Sequence, residues 1–113
     1  MKEVLLMTND IANDSELQAA FQEMMPEIAE GFEHLAGASF RDGQLSAKTK
    51  ELIAVGVATA MRCEDCMNYH LEKLVSMGAA KAEILEAMGV GFEMGAGTLL
   101  PPLRRVIYNK LKG

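Results

Sequence analysis

Tryptophan is absent from this 113-residue chain and aromatics make up only 5% of it. A core therefore has to be assembled from Leu, Ile, Val, Ala and nine Met, a composition that suits packed helices better than a sheet. No strand-like alternation of apolar and polar residues occurs, and no Asn-Gly hairpin turn. Long apolar runs are missing too. The longest, Leu52 to Met61, is nearly uninterrupted over ten residues, about half of what a bilayer requires. A surplus of positive charge is also lacking: the formal net charge is −5, and a phosphate-binding surface would need clustered Lys and Arg. Nucleic acid and membrane are accordingly not expected as partners. The segment from Met1 to Met7 is too short and too interrupted by Glu3 to serve as an export signal, so a cytoplasmic location is expected.

Internal repeats, low-complexity tracts and linkers are likewise absent, and the length predicts a single domain over residues 1–113. With little core to spare at this size, self-association is expected. The apolar spacing predicts an all-α protein, a compact helical bundle. Residues 1–14 read as an arm ending at a helix cap, with Ser15 as N-cap and Gln18 closing a capping box. Leu17, Phe21 and Met24 follow at helical spacing. Pro26 stops or restarts the helix, and Ile28, Phe32 and Leu35 form a second stripe before Gly37. Ser46 can cap a helix running to about Met61 whose interior is apolar on every side, which predicts burial all round. The next segment, about Glu64 to Met77, ends at Gly78. A helix from Lys81 is expected to bury Ile84, Leu85, Met88 and Phe92, and a short terminal helix runs from Arg104 to Leu111.

Chemistry is concentrated in Cys63-Glu64-Asp65-Cys66-Met67-Asn68-Tyr69-His70, which holds both cysteines and one of only two histidines. Cysteines three apart on a helix have Cα atoms about 5 Å apart, inside the roughly 4.4–6.8 Å a disulfide tolerates. So small a loop makes a weak structural staple, which leaves catalysis or metal binding as the use of the pair. His70, four residues past Cys66, falls on the same helix face and supplies a titratable base. Glu51 stands at the head of the apolar helix, where a carboxylate needs a reason to be. On one straight helix it would lie about 18 Å from Cys63. A reversal of the chain near residues 60–62 would instead bring Glu51 and His70 level on two antiparallel helices. Met61-Arg62 carries neither Gly nor Pro, so nothing local forces that turn.

The run Leu45-Ser46-x-x-Thr49-x-Glu51-Leu52-Ile53, then Cys63-x-x-Cys66-x-x-x-His70, then Gly78-Ala79 with Glu83-Ile84, resembles the carboxymuconolactone decarboxylase superfamily, specifically its alkylhydroperoxidase D-like branch. The resemblance covers roughly residues 26–98. It implies an all-helical fold with a central buried helical hairpin, assembly into trimers or hexamers, and reduction of peroxides or protein disulfides. It also implies a proton relay through Glu51, His70 and Cys66, with Cys63 as second redox sulfur, an external thiol or dithiol as reductant, and no organic cofactor. Asp65 stands where some members carry a further histidine, which removes one acid–base group and adds negative charge beside the thiols.

The chemistry these residues can support follows from thiol reactivity. A thiolate is the nucleophile, and an ordinary Cys is mostly protonated at neutral pH, so a base or positive potential must favour its ionisation. His70 held by Glu51 can accept the Cys66 proton. If Cys63 begins the second helix, the helix dipole favours its thiolate instead, and the attacking sulfur stays open. Two alternatives remain. Lactone decarboxylation shares the superfamily, though such members generally do without the cysteine pair. A zinc-binding or redox-sensing module would use three soft ligands with Glu51 or water, although structural zinc usually draws its ligands from two separate pairs. The histidine does not follow the second cysteine directly, which excludes the usual c-type haem attachment. Gly89-Val-Gly91 and Gly95-Ala-Gly97 lack the preceding strand of a nucleotide-binding loop and read as close helix contacts. His34, in a helical stripe, is expected to be a surface or structural residue.

Overall fold

The computed structural model describes residues 13–113, and among them lie six helices and no strand. They are α1 (Asp14–Met24), α2 (Pro26–Phe40), α3 (Ala47–Ala60), α4 (Glu64–Ser76), α5 (Lys81–Gly97) and α6 (Leu100–Leu111). The arm expected over residues 1–14 falls almost wholly outside the described residues. A first unit ends at Ser39 and a second runs Phe40–Gly113.

In the first unit α1 begins two residues earlier than expected. Asn13, not Ser15, is the N-cap, and its side-chain oxygen accepts the Glu16 N–H at 2.9 Å. Asn caps at least as well as Ser, and starting earlier places both Asp14 and Glu16 in the first turn, where the helix dipole favours acids. Pro26 opens α2, a position where its missing N–H costs nothing. Gln22 donates to Glu33 at 2.9 Å across the two helices. Ala29 is buried, but the apolar stripe of Leu17, Met24, Ile28, Phe32 and Leu35 is exposed.

The second unit is organised around α3, which packs against both α4 and α5. Its start is well fixed: Ser46 Oγ accepts the Thr49 N–H at 3.1 Å, and Asp42 accepts the Ala47 N–H at 2.7 Å. The core is small. Val55, Leu74 and Ile84 form it, with Leu52, Leu71, Ala79, Ala87 and Met88 packed around them. Gly56 and Gly91 let α3 and α5 cross with backbones almost touching, since a Cβ on Gly56 would lie 2.9 Å from the Ala87 carbonyl oxygen and one on Gly91 would run into the Gly56 carbonyl. Gly91 is thus a helix-contact residue, as expected.

Two expectations about burial require correction. The α3 helix is not covered all round, because Ile53 and Val57 are each half exposed. On α5, Ile84 is buried while Leu85 and Phe92 face outward. Periodicity marks a residue as apolar-faced but not which neighbour covers that face. The start of α5 is tied back to α3 by Glu83, which accepts the Ala80 N–H at 2.9 Å and pairs with Lys48 at 2.9 Å. The Lys48 hydrogen bond, and after it the Ala80 N–H, hold the Glu83 carboxyl below the usual carboxylate range.

The connections after α3 and after α4 use the same hydrogen-bond pattern with different residues at its critical position. After α4, Ala79 N–H reaches Leu74 O and Gly78 N–H reaches Val75 O, both at 3.0 Å, with Gly78 at φ 79°. After α3, Cys63 N–H reaches Ala58 O at 3.0 Å and Arg62 N–H reaches Thr59 O at 3.1 Å, with Arg62 at φ 60°. This is the Schellman arrangement, whose left-handed residue is usually glycine. The turn that the local sequence did not force is therefore made by an arginine in a conformation costing about 1–2 kcal/mol for a residue with a Cβ. We expect Arg62→Gly to stabilise the protein by about 0.5–1 kcal/mol after allowing for glycine's greater unfolded entropy. The check is the urea midpoint at unchanged slope. A lower midpoint would show that the arginine is not strained there.

Candidate active site

The turn at Arg62 decides where the sulfurs go. Cys63 completes the end of α3 through its N–H and at the same time is the N-cap of α4, its sulfur accepting the Cys66 N–H at 3.1 Å. The Cys63 and Cys66 Cα atoms are 5.1 Å apart, and the two are joined as a disulfide. Cys63 thus begins the second helix, where unpaired amide N–H groups and the helix dipole favour negative charge on sulfur. Glu64 and Asp65 lie in the same first turn and act in the opposite sense.

The reversal also lays α4 against α3 and brings Glu51 and His70 together across it. Glu51 is 3% exposed, and a carboxylate taken that far from water needs a partner. His70 provides it: its Nδ1 stands 2.6 Å from Glu51 Oε1. Two of the chain's few aromatics flank the imidazole. Phe40 stacks on its face, with centroids 5.4 Å apart and planes at 20°, and Tyr69 meets it edge-on at 5.0 Å. A carboxylate accepting at Nδ1 favours the tautomer with the proton there, which leaves Nε2 of the neutral ring as the acceptor. Cys66 lies one turn back along α4 on the same face as His70. No side-chain N or O buried among the described residues lacks a hydrogen-bond partner.

Four residues singled out from the sequence, Glu51, Cys63, Cys66 and His70, thus fall on the facing ends and flanks of one helical hairpin. His34 lies elsewhere, exposed on α2 with Glu30 3.8 Å away. Phe40 was not anticipated, and only the unusual scarcity of aromatics could have drawn attention to it. Among the described residues no three of His, Cys, Asp and Glu converge as a metal-ligand cluster. On the other side of α3, against α5, an open groove of about 500 Å³ is lined by Ile53, Val57, Met61, Val90 and Met94 among others. Its Met61 end adjoins the turn that carries Cys63.

The family model for carboxymuconolactone decarboxylases matches residues 26–105. The chain belongs to this family. It is 32% identical over 78 residues to an uncharacterized protein of Cupriavidus necator, covering 69% of each chain. To an uncharacterized protein of the cox locus in Paracoccus denitrificans it is 40% identical over 70 residues, covering 62% of this chain and 63% of that one. The chain therefore spans about two thirds of the length of these relatives.

Solved structures resemble it as well. A carboxymuconolactone decarboxylase family protein from Legionella pneumophila superposes with a TM-score of 0.70 at 39% identity, covering 86% of this chain and 84% of that one. A family protein from Thermotoga maritima, suggested to be involved in an antioxidative response, matches at 40% identity and a TM-score of 0.56, covering 69% and 80%. An all-α fold is thus shared with solved members of this family.

Proposed function

We propose that this family member is a thiol oxidoreductase that reduces peroxides or protein disulfides through Cys63 and Cys66, with Glu51 and His70 as a proton relay. The observation that carries the proposal is the 2.6 Å contact of a buried carboxylate with the histidine one turn from a redox-capable cysteine pair. The antioxidative role suggested for the Thermotoga maritima relative supports the same direction.

In the reduced protein His70 Nε2 takes the proton of Cys66, directly or through a water, and Glu51 stabilises the imidazolium that results. The Cys66 thiolate attacks a peroxide oxygen and the O–O bond breaks. The departing alkoxide takes the proton held by His70, and Cys66 is left as a sulfenic acid. Cys63 then attacks the Cys66 sulfur, water leaves, and the disulfide closes. With a protein disulfide as substrate, Cys66 first forms a mixed disulfide and Cys63 displaces the substrate thiol. Two electrons from an external thiol or dithiol reopen the bond. In that step Cys63 is a good leaving group, because its thiolate is received by the Cys66 N–H and the start of α4. The reaction balances without an organic cofactor.

The order of the sulfurs is tested by trapping. Reduced Cys63→Ser should capture a substrate disulfide as a stable adduct on Cys66. Capture only by Cys66→Ser would reverse the assignment.

We also propose that the working form is a homo-oligomer, a trimer or hexamer. The core of the second unit contains just three buried large apolar residues, Val55, Leu74 and Ile84. Ile53, Val57, Met61, Val90 and Met94 around the α3/α5 groove are meanwhile all at least half exposed. So much contiguous apolar surface is costly on an isolated chain. Sedimentation at micromolar concentration should give three or six times the mass of the chain, 12.3 kDa. A monomer that stays folded on dilution would contradict this.

A further inference from the structure

The imidazole of His70 is held by more than its carboxylate. Phe40, the last residue of α2, lies nearly parallel to it, with planes at 20°, and Tyr69 closes another side with rings at 83°. The chain has four Phe and two Tyr, so two of its six aromatics sit on one histidine. Phe40 is half-buried and lies outside the cluster of Val55, Leu74 and Ile84, so it is not simply another core residue.

A hydrogen bond fixes one atom of a ring and leaves its plane free to swing about that contact. A stacked face fixes the plane. We propose that Phe40 is a positioning residue of the dithiol site: together with Glu51 it sets the plane of the His70 ring, and so the direction in which Nε2 is presented. Glu51 determines which nitrogen is free, and Phe40 determines where that nitrogen points. Tyr69 cannot do this alone, because an edge contact resists rotation less than a face does and Tyr69 lies on the same helix as His70. Lys73 Nζ lies over the Tyr69 ring, 5.1 Å from its centroid. A proton acceptor misaligned by a fraction of an ångström loses rate without losing the fold.

The proposal rests on His70 acting as the base, and the test separates the two. Phe40→Leu keeps an apolar cover and removes the flat face; Phe40→Tyr restores the face; Phe40→Met replaces Leu if that variant does not fold. In the reduced protein, the ring carbon–hydrogen bonds of His70 should relax as a rigid group. In Phe40→Leu their order parameters should fall as the freed plane swings about the Nδ1 contact, and Phe40→Tyr should restore them. The second-order rate of disulfide formation with hydrogen peroxide should fall about tenfold in Phe40→Leu and recover in Phe40→Tyr. Unchanged ring order parameters in a folded Phe40→Leu protein would overturn the proposal. If the ring loosens but neither Phe40→Leu nor His70→Ala slows oxidation, the positioning stands and it is the role of His70 as base that fails.

Discussion

A carboxylate sealed inside a helix pair is the constraint on which this structure turns. Glu51 is almost wholly removed from water, and leaving such a group without a partner costs several kcal/mol. His70 Nδ1, at 2.6 Å, is the group that meets that need. For the two to meet, α3 must end and α4 must return antiparallel to it, with the reversal midway between residues 51 and 70. The same reversal makes Cys63 the N-cap of α4 and sets Cys66 one turn from His70. Pairing of the acid and base and placement of the sulfurs are therefore one event in the fold, not two.

The other flank of α3 is shaped by small residues. Gly56 and Gly91 bring α3 and α5 into backbone contact, which fixes α3 as the central element while leaving Ile53 and Val57 beside an open groove. One helix thus carries a polar, partly closed site on the α4 side and an apolar, open face on the α5 side. Such a division suits a subunit whose chemistry is internal and whose stability is completed by association. The short core is consistent with that: Val55, Leu74 and Ile84 join α3, α4 and α5, and larger apolar residues remain outside it.

Much of this was legible in the sequence where chemistry and spacing coincide. The interval from Glu51 to the Cys-x-x-Cys-x-x-x-His unit, combined with a reversal at 60–62, was enough to place acid and base side by side. The reversal itself was not legible, because its left-handed residue is Arg62 where the equivalent position after α4 uses Gly78. The start of α1 was missed by two residues because Asn13 and Ser15 are both good caps, and the sequence does not say which hydrogen bond forms. Leu85 and Phe92 show a different limit. Helical periodicity identifies an apolar stripe, but whether the stripe is covered depends on elements far away or on other subunits. Phe40 was invisible for the same reason: its partner lies thirty residues on, across a loop and a hairpin.

The central claim is that the buried pair serves the thiols and is not merely a packing device. Its most direct test is the stopped-flow rate at which the reduced protein closes the Cys63–Cys66 disulfide with hydrogen peroxide at neutral pH, comparing the natural chain with Glu51→Gln. Glutamine fits the same space and can still hydrogen-bond to His70, but it carries no charge with which to stabilise an imidazolium. The account predicts a fall of about a hundredfold with the helical fold intact. An unchanged rate in a folded Glu51→Gln protein would contradict it and leave the carboxylate with a structural role alone.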